Sequence, residues 1–173
     1  DESAQWAYAE DIARQLDGDV LLRIQPDEIW PADSLAWYLE YVAYYKTHRY
    51  FVPVRHFWRS FDWTCEDQTW TERFIKLKGA SDPEPRYCPE LREKLWHFGY
   101  ARRPLDVLYK SLLRIHQENW RCGWFEGTFL RWPLVREDVH PMSKGTWTPQ
   151  PYDRNRLPKW LQEHPYWRMD IIR

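Results

Sequence analysis

Apolar residues recur every three to four positions along much of the chain, which is the period of an α-helix with one buried face. The clearest stripe lies in 104–119, where Leu105, Leu108, Leu112 and Ile115 share one side of a helix. The same period predicts further helices at 4–16, 35–49, 65–78 and 89–98. The pattern therefore favours a chain of four to five helices.

Local signals at the ends of these segments agree with helices. Residues 64–67 read Thr-Cys-Glu-Asp, a capping box in which Asp takes the usual place of Glu or Gln. Gly79 provides a stop for the helix that follows. Pro89 and Pro104 stand where helices begin, and there a missing N–H costs little.

The C-terminal segment, 133–173, differs in character from the rest. It holds six of the 13 prolines, and prolines at this density forbid long helices. It also carries large aromatic rings, which a disordered tail would lack. We expect an extended arm whose rings insert into pockets on other surfaces.

Together these patterns predict a mainly α fold: a small irregular helical domain with an extended Pro- and Trp-rich C-terminal arm. The predicted division is an acidic N-terminal segment with a short helix (1–32), a helical body (33–132) and the arm (133–173). The N-terminal segment either meets a basic surface or is solvated.

Aromatic residues are the most unusual feature of the composition, with 13 Trp and 11 Tyr among 173 residues. Trp, Tyr and Arg commonly anchor protein interfaces, because their side chains combine a large apolar area with a polar group. One interpretation is an aromatic-rich core with Arg stems stacked on rings, and the other is that several rings face a partner. The candidate interface residues are Trp58, Arg59, Trp63, Trp147, Trp160, Tyr166 and Trp167.

Charge argues against general nucleic-acid binding, since the net charge is −1. The segment 41–60 is locally basic, with Lys46, Arg49, Arg55 and Arg59 and no acidic residue. Cations alternate with aromatic rings there. This alternation is typical of cation–π packing, and stacking on nucleic acid is the alternative.

Motifs for catalysis and cofactor binding are missing from the sequence. The six His and three Cys form no closely spaced pairs of the kind that bind zinc. The sequence also lacks a nucleophile elbow and a Gly-rich phosphate loop. We therefore expect a protein that is not an enzyme and that binds no metal or cofactor. Since no apolar run approaches 18 residues, we expect no transmembrane helix, and membrane contact only at the surface.

Two features bear on the compartment. The chain begins at Asp1 and its first Met is Met142, and either a cleaved targeting presequence or trimming would account for this. The three cysteines allow one bridge with a free thiol, or three buried thiols as in a reducing compartment.

Residues 37–65 resemble the core of the PDSW-type accessory subunit of mitochondrial respiratory complex I. That family has an aromatic helix, a basic stretch rich in Tyr and Arg, and a Cys that opens an acidic helix. The residues that carry the resemblance here are Tyr44, Tyr45, His48, Arg49, Arg55, Arg59 and Cys65. Residues 97–121 resemble the family's last helix through Gly99, Tyr100, Tyr109 and Arg114.

The resemblance implies a chain bound to the mitochondrial inner membrane as a peripheral subunit, on the intermembrane-space side. Because that compartment is oxidising, it also implies a disulfide between Cys65 and Cys88. A single bridge departs from the family, which is expected to have several.

The expected function is that of a non-catalytic accessory subunit that holds other subunits of a respiratory complex together, complex I foremost. One alternative is an accessory subunit of mitochondrial ATP synthase. Another is a subunit of the mitochondrial ribosome that contacts RNA through the basic segment 46–59. A third is an enzyme whose motif the sequence does not reveal.

Overall fold

The computed structural model describes residues 2–65, 70–113, 120–142, 145 and 147–164. Among the described residues, eight strands join in a mixed sheet, alongside short helices. The fold is therefore α/β, and the prediction of a mainly α fold is wrong.

The described helices are short, and most of the strands are shorter still. The α-helices are α1 (Glu2–Gln15), α2 (Ala32–Tyr44), α3 (Pro104–Leu113) and α4 (Lys159–Gln162), with a π-helix at Phe125–Phe129 and a 3₁₀ turn at Arg154–Arg156. The strands are β1 (Val20–Leu22), β2 (Glu28–Ile29), β3 (Arg49–Trp58), β4 (Trp63–Cys65), β5 (Trp70–Lys76), β6 (Arg86–Tyr87), β7 (Leu95–Tyr100) and β8 (Gln150–Pro151).

Two of the predicted helices are strands in the structure. The helix expected at 65–78 is β5 in its described part, and the helix expected at 89–98 ends in β7. Both strands bury neighbouring residues, such as Phe74 and Ile75 of β5, on both faces. A strand buried on both faces lacks the alternation that identifies a half-buried strand, so its aromatic spacing resembles a helical stripe.

The other predicted helices exist, with different ends. The helix expected at 35–49 is α2, which stops at Tyr44 because Tyr45 is already extended and Arg49 begins β3. The helix expected at 104–119 is α3 as far as Leu113, and 114–119 lie outside the described residues.

The chain divides into two compact units, and the first comprises 1–54 and 68–95. In this unit β5 lies between β1 and β3, antiparallel to both, while β6 runs parallel to β3. The helix α2 contributes Tyr38 and Val42 to a core that also contains Val52 of β3 and Phe74 of β5. The apolar side of α2 therefore packs on this part of the sheet.

A buried ion pair joins β2 to β5 within the first unit. The Arg73 guanidinium donates from Nε to Glu28 Oε2 at 3.0 Å and from Nη2 to Oε1. The Glu28 side chain is 1% exposed and also accepts from the backbone N–H of Gln25. Since both carboxylate oxygens are bonded, the charge of Glu28 is compensated inside the unit.

The second unit comprises 55–67 and 96–173. Here the end of β3 pairs with β4 in antiparallel register, with His56 opposite Cys65. A core of large rings surrounds Trp58, which contacts Trp124, Phe129 and Trp132 edge to face.

Several of the described residues after 133 belong to the core and the sheet of the second unit, whereas the sequence predicted an extended arm. Trp147 is buried in the ring cluster, and its carbonyl accepts from the backbone N–H of Val139 at 2.9 Å. The strand β8 pairs with β4. Trp147 and Tyr152 thus fill the unit's own interior, whereas Trp160 is exposed.

None of the helices in the described part of the chain combines the length and the apolar character needed to cross a bilayer.

We predict that Glu28→Gln destabilises the full chain by about 3 kcal/mol, because it leaves the Arg73 charge buried without its counter-ion. The free energy of unfolding from urea denaturation checks this. Lys159→Met is the control, since Lys159 pairs with Glu163 in the open and such a pair contributes less than about 1 kcal/mol. Equal effects of the two substitutions would contradict the role given to the buried pair.

We further predict that Trp147→Ala lowers the free energy of unfolding by about 3–5 kcal/mol, because it leaves a large cavity in the ring cluster. Trp160→Ala is a matched control: Trp160 is 58% exposed against 2% for Trp147. The control substitution is expected to cost less than about 1 kcal/mol. If Trp147→Ala lowers the free energy of unfolding as little as Trp160→Ala does, Trp147 is not a core residue. Such a result would support the predicted extended arm.

Candidate functional site

Three of the residues predicted to form an interface lie in the interior of the second unit. Trp58, Arg59 and Trp147 are all buried. The Arg59 guanidinium lies 4.4 Å from the centre of the Phe129 ring. Arg59 has a φ of 64°, and its backbone N–H donates to the Tyr100 carbonyl at 3.0 Å. These side chains stabilise the core, so they are not surface anchors in this structure.

The remaining predicted interface residues are placed differently. Trp63 is half-buried, with its ring 5.1 Å from that of Trp132. Trp160 is exposed. Tyr166 and Trp167 lie outside the described residues.

The cations of the basic stretch that alternate with rings serve internal packing. Arg55 is buried, with its guanidinium 5.1 Å from the centre of the Tyr152 ring. Arg49 donates to Glu72 at 2.8 Å, and this hydrogen bond raises the pKa of Arg49. The alternation therefore reflects cation–π contacts and ion pairs inside each unit.

The cysteines do not form the disulfide that the family resemblance implies. Cys65, Cys88 and Cys122 are thiols outside any disulfide, the first two buried and the third exposed. Burial in the core of the first unit raises the pKa of Cys88 to about 12. A thiol in such surroundings remains protonated near neutral pH and is a poor nucleophile.

A cluster of histidines lies at the edge of the ring core in the second unit. Nδ1 of His56, in β3, lies 2.9 Å from Nδ1 of His97, in β7. The centre of the Trp147 ring lies 4.6 Å from that of His56 and 4.4 Å from that of His140. Because β3 and β7 are paired strands, residues 41 positions apart in sequence become neighbours.

Lys110 of α3 belongs to the same cluster. A Cβ atom on Gly99 would stand 2.6 Å from Lys110 Nζ and 2.8 Å from His97 Nε2. The two nitrogens therefore occupy the space that a side chain at position 99 would fill, so this position requires glycine. The Lys110 ammonium also lies 5.4 Å from the centre of the Tyr100 ring. We call His56, His97 and Lys110 the histidine–lysine cluster.

His56 and His97 share one proton between their Nδ1 atoms. A hydrogen bond between two Nδ1 atoms requires one ring to donate and the other to accept, so the two imidazoles have complementary tautomers. Exchanging the two tautomers would also require one Nε2 to lose a proton and the other to gain one, because transfer of the Nδ1 proton alone would give an imidazolate beside an imidazolium. Among the described residues, no group of three or more His, Cys, Asp or Glu is arranged to hold a metal ion.

Sequence reasoning missed this cluster because its members come from distant positions. The six histidines look scattered, and none stands in a short motif. The one local signal is the series His97, Gly99 and Tyr100 within an aromatic strand, where a glycine weakens the strand unless a close approach requires it.

The outer face of α3 is the second candidate surface. Val107 points into the core, whereas four large apolar residues on the other side of the helix are exposed: Leu105, Tyr109, Leu112 and Leu113. Their spacing places them within about a third of the helix circumference. The helix thus carries Lys110 for the histidine–lysine cluster and also a continuous apolar strip.

A shallow cavity of about 360 Å³ in the first unit is lined by Thr47, Asp82, Glu84, Pro85, Arg86 and Tyr87. Its polar groups bond to each other, since Arg86 Nε donates to Thr47 Oγ1 at 3.1 Å and the backbone N–H of Glu84 donates to Asp82. These bonds account for the polar lining without a ligand.

Comparison with known proteins assigns no family: no family model matches the chain, and no curated protein or solved structure matches it significantly.

We predict that iodoacetamide at pH 8 modifies one thiol per native chain, at Cys122. Cys65 and Cys88 are shielded, and the raised pKa of Cys88 removes the reactive thiolate. After denaturation without reductant, three thiols should react, as mass spectrometry of the peptides would show. A single reactive thiol after denaturation would establish a bridge and contradict the unbridged cysteines of this structure.

Proposed function

We propose that this chain is a non-catalytic accessory subunit that binds other protein subunits through the outer face of α3. The observation that carries the proposal is the exposure of four large apolar side chains on one side of a single helix: Leu105, Tyr109, Leu112 and Leu113. Such a strip is costly to leave in water, and burying each side chain would contribute about 1.5–3 kcal/mol.

The charges around the strip support an apolar partner. The charged residues of α3 are Asp106 and Lys110. Asp106 accepts from Arg103 at 3.0 Å, and Lys110 lies in the histidine–lysine cluster. The strip itself is uncharged, so it fits the apolar surface of another subunit and offers nothing to a phosphate backbone. Tyr109 supplies the aromatic residue that commonly anchors an interface.

We further propose complex I of the mitochondrial inner membrane as the assembly, with the chain as a peripheral subunit on the intermembrane-space side. The support is the resemblance of residues 97–121, which include α3, to the last helix of the PDSW-type subunit. Support from residues 37–65 is smaller than the sequence suggested. In the family a helix follows the cysteine, whereas here Cys65 ends a strand and the next described residues form β5.

Burial argues against the RNA-contacting alternative. That interpretation relies on the basic segment 46–59, but Arg55 and Arg59 are buried and their guanidinium groups lie over rings. Buried cations cannot neutralise phosphates, which is the main source of affinity for nucleic acid. An accessory subunit of ATP synthase would use the same apolar strip, so experiment has to distinguish it from a subunit of complex I.

We predict that Leu113→Glu reduces incorporation into the assembly at least tenfold, because it places a charge in the apolar contact. Leu134→Glu is the matched control, since Leu134 belongs to the same unit and is 83% exposed against 79% for Leu113. Native electrophoresis of the source membranes, with the chain located by mass, measures incorporation.

Three outcomes would contradict the proposal. If Leu113→Glu is incorporated as well as Leu134→Glu, the α3 strip is not the contact. If the unmodified chain migrates alone, it is not an accessory subunit. If its band contains ATP synthase, or shifts after ribonuclease treatment, the assembly is not complex I.

A further inference from the structure

We propose that Phe51, Trp70 and Tyr87 form a groove that binds a proline-rich segment of another protein, with a basic residue next to the prolines. We call these three residues the aromatic groove. All three belong to the first unit, whereas the proposed subunit contact uses α3 in the second unit. Each of the two inferences can therefore fail without the other.

Strand pairing brings the three rings together on one face of the sheet. Tyr50 and Val52 of β3 lie in the core beneath α2, so the side chain of Phe51 between them faces the opposite side. Phe51 is paired with Tyr87 of β6, and their ring centres are 5.2 Å apart. The ring of Trp70, in β5, lies 5.6 Å from that of Tyr87. Three strands therefore contribute one ring each to the aromatic groove.

The angles between the rings form a corner that is accessible to solvent. The planes of Trp70 and Tyr87 are at 89°, whereas Phe51 lies at 32° to Tyr87 and packs against it. Tyr87 is 55% exposed, and the other two rings are half-buried. Two perpendicular rings suit a compact, non-planar ring such as that of proline, because its C–H groups can contact a ring face and a ring edge at once.

The polar atoms of the aromatic groove suit an extended proline-rich backbone. A polyproline II helix has no internal hydrogen bonds, so its carbonyl groups can accept from a binding partner. The indole N–H of Trp70 and the hydroxyl of Tyr87 are such donors, and neither makes a hydrogen bond within the described part of the chain. Grooves lined by aromatic rings bind proline-rich segments in this way, because the preformed helix loses little entropy on binding.

Negative charge beside the aromatic groove indicates the basic residue. Tyr87 also lines the shallow cavity that contains Asp82 and Glu84. Asp82 accepts from the Thr47 hydroxyl and from the backbone N–H of Glu84, and both donors are neutral. Within the described residues, neither carboxylate forms an ion pair with a lysine or arginine, and the guanidinium of Arg86 lies over a tyrosine ring. A cationic side chain of the partner would compensate this charge.

Other ligand classes fit these observations less well. A nucleic acid would bring phosphates close to the two carboxylates, which repel them, and a nucleobase stacks best on one open ring face. Arginines on the same sheet face do not offset this repulsion, because Arg49 and Arg23 are both paired with Glu72. A small organic cation would need a gap between the rings, whereas the rings of the aromatic groove contact one another.

The test is isothermal titration calorimetry of the full chain with synthetic peptides. The probe is octaproline with an arginine at each end. One control is octaproline with a glutamate at each end, and the other is an arginine-ended glycine–serine peptide of the same length. We expect the probe to bind at one site per chain, at least tenfold more tightly than the glycine–serine peptide and severalfold more tightly than the glutamate-ended peptide.

Matched variants connect the binding to the aromatic groove. Tyr87→Ala and Trp70→Ala should each weaken binding of the probe at least tenfold, because each removes one wall of the corner. Tyr44→Ala should leave it unchanged, since Tyr44 is a tyrosine of the same unit that is 80% exposed. Glu84→Gln should weaken binding of the probe and strengthen binding of the glutamate-ended peptide. Glu163→Gln, at an exposed carboxylate of the second unit, should change neither.

Several results would overturn the proposal. They are no binding of the probe, equal binding of the glycine–serine peptide, or binding retained in both Tyr87→Ala and Trp70→Ala. A cello-oligosaccharide or a single-stranded RNA that binds more tightly than the probe, and loses its binding in Tyr87→Ala, would assign the groove to another ligand class. Self-association of the chain that Tyr87→Ala abolishes, measured by sedimentation, would assign it to a second copy.

The charge variant decides the matter if the ring variants fail to fold, as judged by circular dichroism and thermal melting. Glu84 is exposed, so its substitution by glutamine removes a charge without disturbing the core. If Glu84→Gln leaves the affinities of both charged peptides unchanged, the prolines do not bind beside this carboxylate and the proposed site is wrong.

Discussion

Burial of β3 on both faces is the constraint on which the rest of this structure depends. Val52, Pro53, Val54 and Arg55 follow one another along the strand, and all four are buried. A strand in this situation needs apolar neighbours above and below it, and any polar side chain on it needs a partner inside. The abundant Trp, Tyr and Phe side chains supply these apolar neighbours, because each ring covers a large area.

The charges of the buried arginines are compensated in two ways. Arg73 is compensated by the carboxylate of Glu28, with two hydrogen bonds. Arg55 and Arg59 lie over aromatic rings, where the negative face of the ring attracts the guanidinium. Arginine suits both environments, because its planar group forms bidentate pairs and also stacks.

The helix α3 links the two candidate surfaces of the second unit. Its length and helical period place Lys110 toward β7 and the apolar strip toward solvent. The first side meets His97 beside Gly99, and the second carries the proposed contact with another subunit.

The sequence by itself determined the elements that are encoded by residues close to one another along the chain. The α1, α2 and α3 helices follow from their apolar period and from Pro104 at the start of α3, and the cation–ring alternation in 41–60 correctly indicated cation–π packing as one of two interpretations. Only the tertiary structure decided that β5 and β7 are strands, because strands buried on both faces lose the alternation by which a strand is recognised. It alone decided that Trp58 and Trp147 are core residues, since a large ring can fill a core or an interface equally well. The meeting of His56 with His97 also depends on strand pairing, a long-range contact that no spacing along the chain encodes.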